Sequence, residues 1–138
     1  MRVVLDTNVV MDWLHFRDAA ARPLAAAIAA GTVTCLADAA TLEELARVVA
    51  YPEFGLDTEA RAGLLQHYRK QVALVAGGEA PRLPRCKDAD DQKFLELAAR
   101  SGADLLVSKD KALLGLKGRQ GLSFRIVSPA GAGALLAQ

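Results

Sequence analysis

The stretch Val3-Val4-Leu5-Asp6-Thr7-Asn8-Val9-Val10 (VVLDTNVV) starts in a short apolar run, meets an acid and an amide, and returns to apolar residues. The apolar run, taken from Arg2 to Leu5, suits a strand buried on both faces, and the pattern that follows, Asn8 to Leu14, has helical periodicity. A strand that runs directly into an acid and then a helix has the form of an α/β crossover whose acid lies at the carboxyl edge of a sheet.

The same alternation continues along the chain. Val33 to Leu36, Asp104 to Val107 and Phe124 to Val127 read as further buried strands, and helical patterns occupy Ala19 to Ala30, Thr41 to Ala50, Asp57 to about Val72 and Asp91 to Arg100. Ser128-Pro129 is a favourable N-cap and first-turn pair for a last helix. Strands alternating with helices require right-handed crossovers, which predicts an α/β fold: a three-layer α/β/α sandwich with a mainly parallel central sheet. Gly77 to Pro84 (GGEAPRLP) has turn chemistry and is expected to be a surface loop. The Ala-rich helices 19–30 and 57–72 could dock on a second copy of the chain or on another protein, but packing into their own core is the simpler expectation.

With 138 residues and 52% hydrophobic content, one domain over residues 1–138 is expected. Seventeen Lys and Arg against sixteen Asp and Glu give no global field that advertises nucleic acid or membrane, so any charged partner must be read by a local patch. Asp6 interrupts the first apolar run too early for a signal-peptide core, and no stretch reaches the roughly 20 apolar residues that span a bilayer. Cys35 and Cys86 are expected to be reduced thiols. These features together predict a soluble protein of the cytoplasm.

Ligands of parallel sheets bind beyond the carboxyl ends of the strands. Asp6 follows the first strand there, and Asp110 follows Leu105-Leu106-Val107 after Ser108-Lys109. Each could equally cap the helix that comes next. In Arg85 to Leu97 (RCKDADDQKFLEL), Asp88 and Asp90 suit the positive end of a helix dipole. Asp91, at about 100° per residue, shares a face with Leu95 and Ala98, and a carboxylate aimed inward needs a partner. In TLEELARVV, Leu42, Leu45, Val48 and Val49 define the apolar face, which leaves Glu43 to solvent and puts Glu44 on the flank, at the rim of the core.

If Asp6, Glu44, Asp91 and Asp110 converge, two carboxylates about 4 Å apart repel by roughly 4 kcal/mol at an effective dielectric of 20. Protons or a cation must neutralise such a group, and no Lys or Arg in these motifs obviously pairs with all four. Oxygen-only ligands favour Mg2+ or Mn2+, and a carboxylate magnesium site commonly receives substrate phosphates, which points to phosphate-ester hydrolysis.

The motifs LDTN (5–8), EEL (43–45), RCKDADDQKFLELA (85–98) and LLVSKDKALL (105–114), in this order and spacing, resemble the PIN-domain ribonucleases, including the toxin type of bacterial toxin-antitoxin pairs. The resemblance covers nearly the whole chain. It implies a PIN-like fold in which Asp6, Glu44, Asp91 and Asp110 are the acidic ligands of Mg2+ or Mn2+, with Asp88 assisting. Asn8 and Ser108 would be the supporting polar residues, Ser108 standing where most members carry Thr. The implied activity is hydrolysis of single-stranded or structured RNA. The implied partners are that RNA, an antitoxin protein where the chain is a toxin, and a second copy of the chain. Arg82, Arg85, Lys87, Lys109, Lys111, Lys117 and Arg119 flank the acidic motifs and could follow the RNA backbone.

Two other readings remain at this point. A haloacid-dehalogenase-like phosphatase also sets an Asp after its first strand, but it wants a second Asp where this chain has Asn8. A non-catalytic metal-binding interaction module would use the same acids without chemistry. A calcium EF-hand from Asp88 fails, because Lys93 and Ala99 stand where Gly and Glu are required. Gly131-Ala132-Gly133 lacks the third glycine of a dinucleotide turn, and His15 and His67 have no metal-ligand spacing.

Overall fold

The structure is a computed structural model that describes residues 1–137; Gln138, the last residue of the expected domain, lies outside the described residues. Its centre is a five-stranded parallel sheet of β1 (Arg2–Leu5), β2 (Thr34–Ala37), β3 (Val72–Leu74), β4 (Leu105–Val107) and β5 (Arg125–Val127), in the order β3-β2-β1-β4-β5. The strands are connected by α1 (Thr7–Met11), α2 (Arg22–Ala30), α3 (Ala39–Val49), α4 (Thr58–Gln71), α5 (Gln92–Ser101) and α6 (Lys111–Leu114), and α7 (Pro129–Leu136) closes the chain.

Alternation along the strands divides the core into two layers. Val3, Leu5, Leu105 and Val107 face α1, α2, α3, α4 and α7, where Leu24, Ile28, Leu45, Val49, Leu64 and Tyr68 are buried. Val4, Leu36, Leu106 and Ile126 face the other way, onto Phe94, Leu95, Leu97 and Ala98 of α5 and Leu113 of α6. The result is the three-layer α/β/α sandwich, with all strand pairs parallel. The Ala-rich helices α2 and α4 pack into their own core, as the simpler expectation has it.

Two local expectations need correction. Helix α4 stops at Gln71, and Val72 enters a strand. This strand is three residues long and lies at the sheet edge with two of its residues exposed; the apolar run Val72-Ala73-Leu74-Val75-Ala76 before Gly77-Gly78 carries its signal, but it continues directly from the helical pattern, which masks the boundary. The segment expected as one helix from Asn8 to Leu14 is α-helical to Met11 and then widens into a π-helical turn, Asp12–Phe16, which ends at Arg17 in a left-handed conformation (φ 52°). Widened turns of this kind are local departures that hydrophobic periodicity does not encode.

Sheet order fixes where the carboxyl edge opens. The chain leaves β1 into α1 on one face of the sheet, whereas α5 enters β4 from the opposite face. β1 and β4 are neighbours, so the crevice beyond their ends is the topological switch point. The pairing Leu5↔Val107 extends into a backbone hydrogen bond from Asp6 N–H to Val107 C=O (2.9 Å), which puts Asp6 beside Ser108. On the other flank Ser108 N–H donates to Val127 C=O (2.9 Å).

Helix α5 is held against this edge by Leu95, which is fully buried. Leu95→Ala is expected to lower stability by about 2 to 5 kcal/mol in urea unfolding, because a large-to-small change there leaves a cavity under the sheet. A loss below about 1 kcal/mol would contradict the packing described.

Candidate active site at the β1/β4 edge

Three carboxylates meet at the switch point. Asp6, Asp91 and Asp110 each present an oxygen, and these oxygens lie within 4.8 Å of one another. They come from the end of β1, the entrance of α5 and the loop after β4.

Asp6 occupies the N-cap position of α1, yet its side chain makes no capping bond. Its Oδ2 accepts from Ser108 Oγ at 2.6 Å. The Ser108 hydroxyl, fully buried, accepts in turn from the backbone N–H of Asp110 at 2.9 Å. A single hydroxyl therefore sets both the Asp6 carboxylate and the backbone that carries Asp110. Asp110 does cap its helix, accepting from Ala112 N–H at 2.7 Å, so capping and membership of the cluster hold together for this residue.

Asp91 enters from a short 3-10 turn, Ala89–Asp91, and is 8% exposed, on the same side of α5 as the buried Leu95 and Ala98. Its Oδ2 is buried without a hydrogen-bond partner among the described residues. Asp88 and Asp90 lie differently. Asp88 caps the turn by accepting from Asp90 N–H at 3.0 Å, and Asp90 is exposed.

Glu44 is not part of the three-acid group. One of its carboxylate oxygens accepts from Lys93 Nζ at 2.8 Å and the other from the Thr7 hydroxyl. No cation pairs with all four acids among the described residues, as expected, but one of the four has a cation of its own. Lys93, two residues beyond Asp91, neutralises Glu44, and the pair is largely enclosed, the side chains 20% and 14% exposed. Sequence could not show this, because the two residues are 49 positions apart and their contact depends on how α3 and α5 pack. Asn8 makes no bond to Asp6, and its Oδ1 is buried and unpartnered among the described residues. Asp12, not singled out in the sequence, is buried and held by Lys109 Nζ at 2.7 Å, which ties the π-helical turn to the loop carrying Ser108 and Asp110.

The electrostatics follow from burial. Asp6 is pushed up from 3.8 to about 6, chiefly by burial, against the Ser108 hydrogen bond that pulls it down and with the Glu44 and Asp110 charges that push it further up. Asp91 is pushed up to about 8, first by burial, then by the Asp110 carboxyl against it and the charges of Asp6, Asp110 and Asp88. Three inward carboxylates with an orphaned oxygen and no cation of their own among the described residues form a hard, all-oxygen donor set. That set fits Mg2+ or Mn2+.

An acid with a raised folded-state pKa keeps its proton in the folded protein after the unfolded chain has lost it. Stability from these two groups is therefore lost as pH rises from the unfolded value of 3.8 through about 6 for Asp6 and about 8 for Asp91. The metal-free protein is expected to melt lower at about pH 8 than at about pH 5, and Mn2+ at about 100 times its Kd should restore roughly 2.7 kcal/mol at the higher pH. Calorimetric scans with and without Mn2+ check this. A midpoint that rises with pH in the absence of metal, or ignores metal at pH 8, would contradict the site.

Among the described residues no helix is long and apolar enough to cross a membrane. No curated protein matches the chain. A family model described as PIN domain matches residues 2–112, a span that contains all five strands except β5 and every residue of the acidic cluster. The chain belongs to the PIN-domain family, whose fold is a nuclease-type domain.

Proposed function

We propose that the chain, as one domain over residues 1–138, is a metal-dependent endoribonuclease that hydrolyses phosphodiester bonds of single-stranded RNA. The observation that carries the reading is the convergence of Asp6, Asp91 and Asp110 within 4.8 Å, with Asp91 Oδ2 buried and unsatisfied. Family membership favours a nuclease over the phosphatase alternative.

In this reading Asp6, Asp91 and Asp110 hold Mg2+ or Mn2+. The bound cation would supply an activated water and neutralise charge on the phosphate. Ser108 fixes the Asp6 carboxylate and the Asp110 backbone in one arrangement, so the ligands are set before metal arrives. Glu44, anchored by Thr7 and Lys93, stands beside the cluster and adds to the negative field felt at Asp6. Asp88 shapes the turn that delivers Asp91, and Asn8 offers its unpartnered Oδ1 at the start of α1. Burial of the cluster keeps bulk water from screening these charges.

Cleavage of a labelled single-stranded RNA by the purified chain, with Mn2+ and with EDTA, tests the reading. Asp91→Asn is expected to reduce cleavage by about 100-fold or more, since loss of a ligand should exceed the roughly 10- to 100-fold cost of removing a residue that only orients a ligand, while the exposed Asp90→Asn keeps most of it. Equal losses would show that Asp90 shares the ligand role, and metal-independent cutting would remove the basis of the mechanism.

We also propose the toxin role in a toxin-antitoxin pair in the bacterial cytoplasm. What supports it, besides family resemblance, is an exposed aromatic cluster away from the acids. Phe16 and Tyr51 are exposed, and Phe54 lies between them at ring-centroid distances of 5.9 and 6.5 Å. Beside it Trp13, Leu14, Leu56 and Leu64 line a groove of about 620 Å³. Such a patch suits an apolar helix of an antitoxin or of a second copy. Induced expression in a bacterial host is expected to arrest growth with the wild-type chain and not with Asp6→Asn. Equal growth of the two strains would contradict the toxin role and leave the nuclease chemistry to the RNA assay.

A further inference from the structure

A second groove, of about 820 Å³, runs between α3, the segment after β3 and the outer face of α5. Lys93 lines it and also holds Glu44, so one residue connects the groove with the flank of the acidic cluster. From Lys93 the path inward is short: its ammonium meets Glu44, Glu44 meets the Thr7 hydroxyl, and Thr7 follows Asp6 in the chain. An ammonium has three donors, and Glu44 is the one hydrogen-bond acceptor that Lys93 finds among the described residues.

The wall opposite is apolar and small. Ala39, Ala40 and Ala46 of α3 line it together with Leu74, Gly77 and Gly78, and Leu74, 64% exposed, offers apolar surface to whatever enters. The charged residues of the groove balance, with Asp38, Glu43 and Glu96 against Arg69, Lys93 and Arg100. Several are already engaged: Asp38 accepts from Arg100 at 2.6 Å, and Glu43 meets Arg47 at 3.5 Å. Glu96, half-buried, has no ion-pair partner among the described residues. A balanced, apolar-walled groove has little pull on a run of phosphates. It suits a flat, weakly polar group tethered to one anion, which is the form of a nucleotide.

We propose that this groove is a subsite for one nucleotide of the RNA strand, with the phosphate on the free donors of Lys93, the base against Leu74 and the alanines of α3, and Glu96 accepting from the base edge. This rests on the ribonuclease reading above and adds to it the place and chemistry of a neighbouring base. A carboxylate acceptor selects bases that present an amino donor, the pairing that Glu and Asp make with the exocyclic amine of cytosine. Lys93 thus has two functions: it holds Glu44 beside the acids and marks where the strand passes from the cleavage point into the groove.

The test uses the full chain and short labelled single-stranded RNAs of differing sequence. Binding is read by fluorescence anisotropy in EDTA and cleavage with Mn2+. Ala46→Trp, at an exposed helical position, fills the groove; it is expected to weaken RNA binding and raise KM by about tenfold while kcat and Mn2+ affinity stay within about twofold. Leu74→Glu, also at an exposed position, should act in the same direction without added bulk, and Glu96→Gln should reduce the preference among bases at one position next to the cut. Unchanged RNA affinity and KM in both groove variants, with the wild type cutting RNA, would overturn the subsite and leave the nuclease reading standing. RNA binding that is lost in the groove variants, from a wild type that never cuts, would uphold the subsite and defeat the nuclease reading. No RNA binding by the wild-type chain would overturn the subsite.

Discussion

The Ser108 hydroxyl, buried between the ends of β1 and β4, donates to the Asp6 carboxylate and accepts from the Asp110 backbone. The site depends on this pair of hydrogen bonds. Parallel pairing of the two strands brings Ser108 beside Asp6, and the hydroxyl converts backbone register into a fixed carboxylate position. Helix α5 then delivers Asp91 from the opposite face of the sheet. Loss of the hydroxyl would leave a buried carboxylate without its donor, a more costly state than the bond itself is favourable.

The arrangement opposes its own stability. Burial and mutual repulsion push Asp6 and Asp91 up, so the folded chain carries two acids that ionise only at a cost. Proteins accept such a cost where a ligand repays it, and an all-oxygen group with an orphaned carboxylate oxygen is matched by a hard divalent cation. Glu44 shows the contrast. It is less deeply buried than Asp6 and Asp91, and Lys93 and Thr7 satisfy it within the protein, which leaves the three aspartates as the acids of the site with no ion-pair partner among the described residues.

Much of the frame was legible because it rests on local pattern. Arg2–Leu5 reads as a buried strand from four residues, and Asp91 reads as inward because Leu95 and Ala98 stand on its face of the helix. The acids after β1 and β4 mark the carboxyl edge as soon as the strands are placed. What stayed hidden depends on distance in the sequence or on irregular geometry. The edge strand Val72–Leu74 continues from the α4 pattern without a turn residue to mark its start, and the π-helical turn after Met11 has no periodic signature. The Lys93–Glu44 and Lys109–Asp12 pairs form across elements, so nothing in the local spacing announces them. Capping and membership of the carboxylate cluster are also compatible in Asp110, where residue type alone had set them against each other.

The most direct test of the central claim is anomalous diffraction from crystals of the chain grown with Mn2+. The account predicts an ion bound by carboxylate oxygens of Asp6, Asp91 and Asp110, at about 2.0 to 2.3 Å as for hard divalent cations, with Glu44 still paired to Lys93. An ion held elsewhere, or three carboxylates that stay free of metal at saturating Mn2+, would contradict it.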